Sequence, residues 1–198
     1  MRKLVGLGVA AVLCAAVLGG SWALAQPVAS APAAHAGMWA NVHDAVAVVH
    51  ATAGNTVHGV VRFTDVDGGV HVTANFDGLP ASSTHGFHIH EFGDESSDNG
   101  LAAGGHFNPE GHKHGAPDAA EHHAGDLGNV VADANGHATL DVVIKGISVA
   151  GMQDPIVGRG LVIHKGEDDL KTQPTGNAGD RIGVGVIGIA KAAAPKAP

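Results

Sequence analysis

His88 and His90 stand two residues apart in the run Gly86-Phe87-His88-Ile89-His90-Glu91-Phe92-Gly93-Asp94. On an extended strand such residues project from one face, so both imidazoles can reach the same metal ion. His106, His114, His123 and Asp126 follow in a stretch of little apolar content, which a cation could order; three imidazoles and one carboxylate suit tetrahedral zinc. His164 ends the run Leu161-Val162-Ile163-His164, far away in sequence but well placed to close the His88/His90 cluster. Six histidines and one aspartate in this order can build two adjacent metal sites, and the fold must bring a strand, a long loop and a distant strand end together.

The remaining sequence predicts short strands. Residues 45–50, 57–63, 70–76, 86–90, 129–132, 138–144, 160–163 and 181–190 are Val-rich or alternate, as in Val70, Val72, Ala74 and Phe76 on one face. Gly54-Asn55, Asp67-Gly68-Gly69 and Asn135-Gly136 supply turns. The first three strands should form an antiparallel meander. Abundant glycine (30 residues) with only 5 Phe, 2 Trp and no Tyr agrees with many short strands. The expectation is an all-β fold, eight strands closed into a barrel or sandwich. Residues 91–126 and 165–180 break the pattern, and structureless loops of that length in a compact domain are usually functional or disordered. The histidines favour function.

The ends read differently. Arg2-Lys3, the apolar stretch 4–18 and Ala23-Leu24-Ala25 make residues 1–25 read as a secretory signal peptide; an uncleaved membrane anchor is the alternative, disfavoured by an apolar run shorter than the ~20 residues a membrane helix needs. Residues 26–42 read as a flexible linker, 43–191 as the folded domain and 192–198 as a disordered tail. The single cysteine, Cys14, lies in the signal segment. Export to the periplasm or the extracellular space is expected, with no stable membrane partner after cleavage. Losing Arg2 and Lys3 leaves nine basic residues against nineteen acidic ones, a formal charge of −10; without clustered Lys and Arg, nucleic acid is excluded as a partner.

Fifteen histidines would also suit a metal scavenger, and His112 and His122 rival the zinc candidates. Several motifs in order point further. GFHIHEFGD at 86–94, GHFNP at 105–109, Lys113-His114-Gly115, HAGDLGN at 123–129, the segment ending at His164, and TGNAGDR at 175–181 together resemble the copper,zinc superoxide dismutase family. The resemblance implies a Greek-key β-barrel, copper on His88, His90, His106 and His164, and zinc on His106, His114, His123 and Asp126. His106 would bridge both metals as an imidazolate and carry a proton between the half-reactions. Asp168 would accept hydrogen bonds from His88 and His114.

The implied reaction is disproportionation of superoxide to oxygen and hydrogen peroxide by cycling of copper, with zinc structural and no organic cofactor. Arg181 matches the arginine that attracts and orients superoxide. Ten negative charges ~20 Å away would repel the anion by about 2 kcal/mol unscreened, reduced to about a few tenths at physiological salt, so local charge near the site decides. Lys165 and Lys171 would add to that field, and Glu167 and Asp180 oppose it. The family's intrasubunit disulfide corresponds to Gly100 and Val184, so no bridge is expected. Relatives imply a homodimer, with a monomer left open. The competing functions are an exported copper or zinc buffer or chaperone without catalysis, and a β-domain stabilised by zinc alone.

Overall fold

The computed structural model describes Trp39 and residues 41–191; the expected signal peptide, most of the linker and the tail at 192–198 lie outside the described residues. The strands are β1 (Asp44–Ala51), β2 (His58–Val66), β3 (Gly69–Asp77), β4 (Thr84–His90), β5 (Asp126–Val131), β6 (Ala138–Ile144), β7 (Gly160–His164), β8 (Arg181–Val186) and β9 (Gly188–Ile189). All pair antiparallel, in the order β5-β4-β7-β8-β1-β2-β3-β6, with β9 on β1. A bridge between Ala132 and Ala138 joins the two ends of that path, giving a nearly closed eight-stranded barrel. β7 returns beside β4 instead of β6, so the order 7-4-5-6 forms a Greek key. Among the described residues no helix is long and apolar enough to cross a membrane.

The predicted meander is β1 to β3. Val70, Val72, Ala74 and Phe76 are buried while their neighbours on β3 are partly or fully exposed, the alternation of a sheet with one wet face. Two boundaries differ from expectation. The last strand breaks at Ile187, where Ile187 bonds to Arg159 and Gly158 instead of continuing the β7 ladder. The first long loop ends one residue early, because Asp126 opens β5 opposite His88.

β4 and β7 depart from the alternation: every residue of β7, and all but the first of β4, is buried. Phe87 pairs with Ile163 and Ile89 with Leu161, and all four belong to the barrel core. His88 and His90 pair with Val162 and Gly160 and so share the opposite, outward face. The two long loops cover that face, and a small apolar cluster of Ala103, Val162 and Val184 seals the first of them to the sheet. Gly160 permits this cover: a Cβ there would lie 2.5 Å from the Phe92 carbonyl oxygen.

Candidate metal centre

Two groups of donors converge under the loops, His88, His90, His106 and His164, and His106, His114, His123 and Asp126; within each, the ligand atoms lie within 4.8 Å of one another and every residue is buried. The outer ring nitrogens explain how the first group is aimed. His90 Nδ1 donates to the Gly104 carbonyl (3.0 Å) and His164 Nδ1 to the Gly179 carbonyl (3.0 Å). A carbonyl only accepts, so both Nδ1 atoms carry hydrogen and the neutral rings present bare Nε2 lone pairs. Those two Nε2 atoms face each other at 3.3 Å. His88 Nε2 donates to Asp168 Oδ2 (2.8 Å), leaving Nδ1 facing inward.

The second group gathers on one oxygen. Asp126 Oδ1 lies 2.9 Å from His106 Nδ1, 3.0 Å from His114 Nδ1 and 3.4 Å from His123 Nδ1, while Asp126 Oδ2 accepts the backbone N–H of Gly115 and of His123. His114 Nε2 donates to Asp168 Oδ1 (2.9 Å), so the predicted Asp168 does meet a ligand of each group. Gly176 (φ +66°) makes room for it; a Cβ there would fall 1.7 Å from Asp168 Oδ1.

Whether metals fit is decided by what lacks a partner. His88 Nδ1, His106 Nε2 and His114 Nδ1 are buried with no hydrogen bond; the 3.0 Å approach of His114 to Asp126 is out of line for one. An unpaired buried polar atom costs about 1–3 kcal/mol, and each of these three aims at one of the two clusters. Charge agrees. Burial lowers His90 well below its ordinary value, His106 to about 4 and His164 to about 3, so these three rings offer neutral imidazoles with free lone pairs. Burial also opposes charge at His114, but Asp126 and Asp168 outweigh it and raise that ring to about 9. Burial disfavours the charged carboxylates, yet the surrounding histidines hold Asp126 and Asp168 below the usual carboxylate range. Two buried carboxylates that share the single raised imidazole of His114, beside unpartnered ring nitrogens, call for cations. The all-imidazole set suits copper and the His₃Asp set zinc.

The family model for copper/zinc superoxide dismutase matches residues 57–187. The chain belongs to the copper/zinc superoxide dismutase family. It is 44% identical over 150 residues to superoxide dismutase [Cu-Zn] 3 of Arabidopsis thaliana, covering 72% of this chain and 89% of that protein. With the superoxide dismutase [Cu-Zn] of Paramecium bursaria Chlorella virus 1 it shares 43% over 141 residues, 68% of this chain and 74% of that one. A crystal structure of the clock protein EA4 superposes with a TM-score of 0.68 at 43% identity, covering 75% of this chain and 95% of the other. This superoxide dismutase therefore converts superoxide to oxygen and hydrogen peroxide, with copper held by His88, His90, His106 and His164 and zinc by His106, His114, His123 and Asp126.

The seven predicted ligands of the dismutase come together, and the rivals do not: His112 and His122 line a separate surface cavity with Glu110 and Asp154. Arg181 reaches the mouth of the copper site, in a cleft of about 370 Å³ shared with His90 and His164. Sequence reasoning missed the groups that fix the loops. Asn129 donates Nδ2–H to the Asp168 carbonyl and accepts the Asp168 N–H; Gln173 clasps the His114 backbone in the same two-way manner. His85 is fully buried, and its Nδ1 donates to the His164 carbonyl (2.8 Å). Only its place beside the His88 motif hinted at a structural role.

Proposed function

We propose that this chain is an exported, disulfide-free dismutase in which His106 handles the proton and Arg181 the anion. The observation that carries the first role is the position of the His106 ring: Nδ1 faces the zinc group, 2.9 Å from Asp126, while Nε2, buried and unpartnered, faces the copper group. When bound, copper exchanges the electron with superoxide in both directions, and zinc, which has no redox chemistry, fixes ligands and charge. His106 Nε2 takes up a proton in the half-reaction that releases oxygen and returns it in the half-reaction that releases hydrogen peroxide. With the second proton taken from solvent water, two superoxide anions and two protons give one oxygen and one hydrogen peroxide molecule.

Arg181 is held for its role by two bonds, Nη1–H to the Gly100 carbonyl and Nη2–H to the Gly104 carbonyl. They set the guanidinium on the wall of the copper cleft, where it attracts and orients superoxide. Gly104 also receives His90 Nδ1–H, so one carbonyl positions the arginine and a copper ligand together.

Export is supported by the Arg2-Lys3 start, the apolar run and Ala23-Leu24-Ala25, and the absence of a bridge by the single cysteine at position 14. A Cβ on Gly100 would clash with Val184 at 2.7 Å, so the bare loop backbone packs directly on Val184 where relatives are bridged. Self-association as a homodimer is supported by large apolar side chains left exposed, among them Phe92, Val186 and Ile189.

The test uses residues 26–198 loaded with both metals. One copper and one zinc per chain with fast superoxide decay is expected. His164→Ala removes one of four copper ligands and should abolish turnover and copper retention while leaving zinc content and the β-sheet circular dichroism intact. Full activity in a copper-loaded His164→Ala protein overturns the assignment.

A further inference from the structure

Apart from the imidazoles, the cleft over the copper group has two ionisable residues on its wall, Asp180 and Arg181. Lys165, expected to strengthen the local positive field, lines a different cavity with His85 and Ile182. Asp180 and Arg181 do not neutralise each other by pairing. The guanidinium is committed to the Gly100 and Gly104 carbonyls, and among the described residues Arg181 makes no ion pair with a carboxylate. Asp180 is exposed, with its backbone fixed by Lys165 N–H donating to its carbonyl (2.7 Å).

We propose that Asp180 sets the anion affinity of this cleft, as a counter-charge that cancels the pull of Arg181 on an approaching superoxide. Opposite charges on adjacent residues leave a dipolar field, which fades faster with distance than that of a lone arginine. An anion in solvent then feels little attraction until it is inside the cleft, where Arg181 and the copper group dominate. The inference rests on the reading of Arg181 as the anion-attracting group. A unit charge roughly 9 Å away in water changes an anion's local concentration by about two-fold before screening, and salt erases that change.

The experiment compares the copper- and zinc-loaded protein with its Asp180→Asn, Asp180→Lys and Arg181→Ala variants. Asp67→Asn is the control for net charge: Asp67 follows the C-terminal end of β2, roughly 25–30 Å along the barrel from the cleft at ~3.3 Å per residue. Azide, a monovalent anion like superoxide, is titrated by copper absorption, and superoxide decay is followed against ionic strength. Asp180→Asn should bind azide about two-fold tighter and Asp180→Lys about four-fold, with faster turnover at low salt and a steeper fall as salt rises. Asp67→Asn should change neither. A shift in Asp180→Asn no larger than in Asp67→Asn overturns the role of Asp180. If Arg181→Ala leaves azide affinity and the salt profile unchanged, the reading of Arg181 fails; if it weakens both while Asp180→Asn is silent, only the Asp180 inference fails.

Discussion

Each imidazole of the centre is aimed by the partner of its outer nitrogen: a backbone carbonyl for His90 and His164, Asp168 for His88 and His114. The ligand identities were legible in the motifs because residue type and spacing suffice to nominate a donor. The nitrogen that faces the metal was not, because it depends on partners fourteen to eighty residues away. The same burial that frees the lone pairs makes the metal-free protein sensitive to acid. His106 and His164 have folded values of about 4 and about 3 against an ordinary 6.5, so between those values the unfolded chain binds more protons and stability falls as pH drops below about 6.5. Asp126 and Asp168, held below the usual carboxylate range, act in the same direction at lower pH. His114 has the opposite sign: raised to about 9, it contributes fully below 6.5 and loses that contribution as pH rises through 9. Calorimetry on the metal-free protein should find the highest Tm between about pH 6.5 and 8. A Tm that climbs on acidification from 6.5 to 4.5 contradicts this account.

At the scale of elements, strands were easier to read than loops. The alternation of β3 and the turn at Asn135-Gly136 are local signals; Gly136 takes a positive φ of 78° and Asp133 Oδ1 accepts the N–H of Asn135 and His137. The course of residues 91–125 has no such code. That loop is fixed by Arg181, by Gln173 on the His114 backbone and by Gly100 against Val184, contacts made across the fold. Much of its order should come from zinc, since three of the four zinc ligands lie in it. Zinc held at a hundred times its Kd stabilises by about 2.7 kcal/mol, which for a domain of this size is a Tm change of about 8 °C. Selective zinc removal should lower Tm by about that amount and raise amide exchange at 106–125, while thiol reductants with metals retained should leave Tm unchanged in the chain cleaved after residue 25. A large thiol effect would refute the disulfide-free reading.

For the whole molecule, charge and exposed apolar surface make separate predictions. The formal −10 of the chain after loss of Arg2 and Lys3 is a weak, screened background, so on the proposed reading anion entry should follow the local pair Asp180 and Arg181 and not net charge. Phe92, Val186 and Ile189 are 55%, 36% and 54% exposed, and a second copy covering them should give a dimer by sedimentation. Ile189→Glu should shift that protein to monomer with its copper and zinc retained; a wild-type protein that sediments as a monomer at all accessible concentrations removes the homodimer. By itself the sequence determined the all-β class and nominated donors for two metals, since strand periodicity and donor chemistry are properties of residue type and short spacing, while the choice of His114 and His123 over His112 and His122 came from the motifs shared with the family. Only the tertiary structure decided which nitrogens are bare, that Asn129 and Gln173 fix the loops over both groups, and that Asp180 shares a wall with Arg181 while Lys165 does not. Those outcomes depend on burial and on hydrogen bonds between distant segments, which exist only once the barrel has brought β4, β7 and the two loops together.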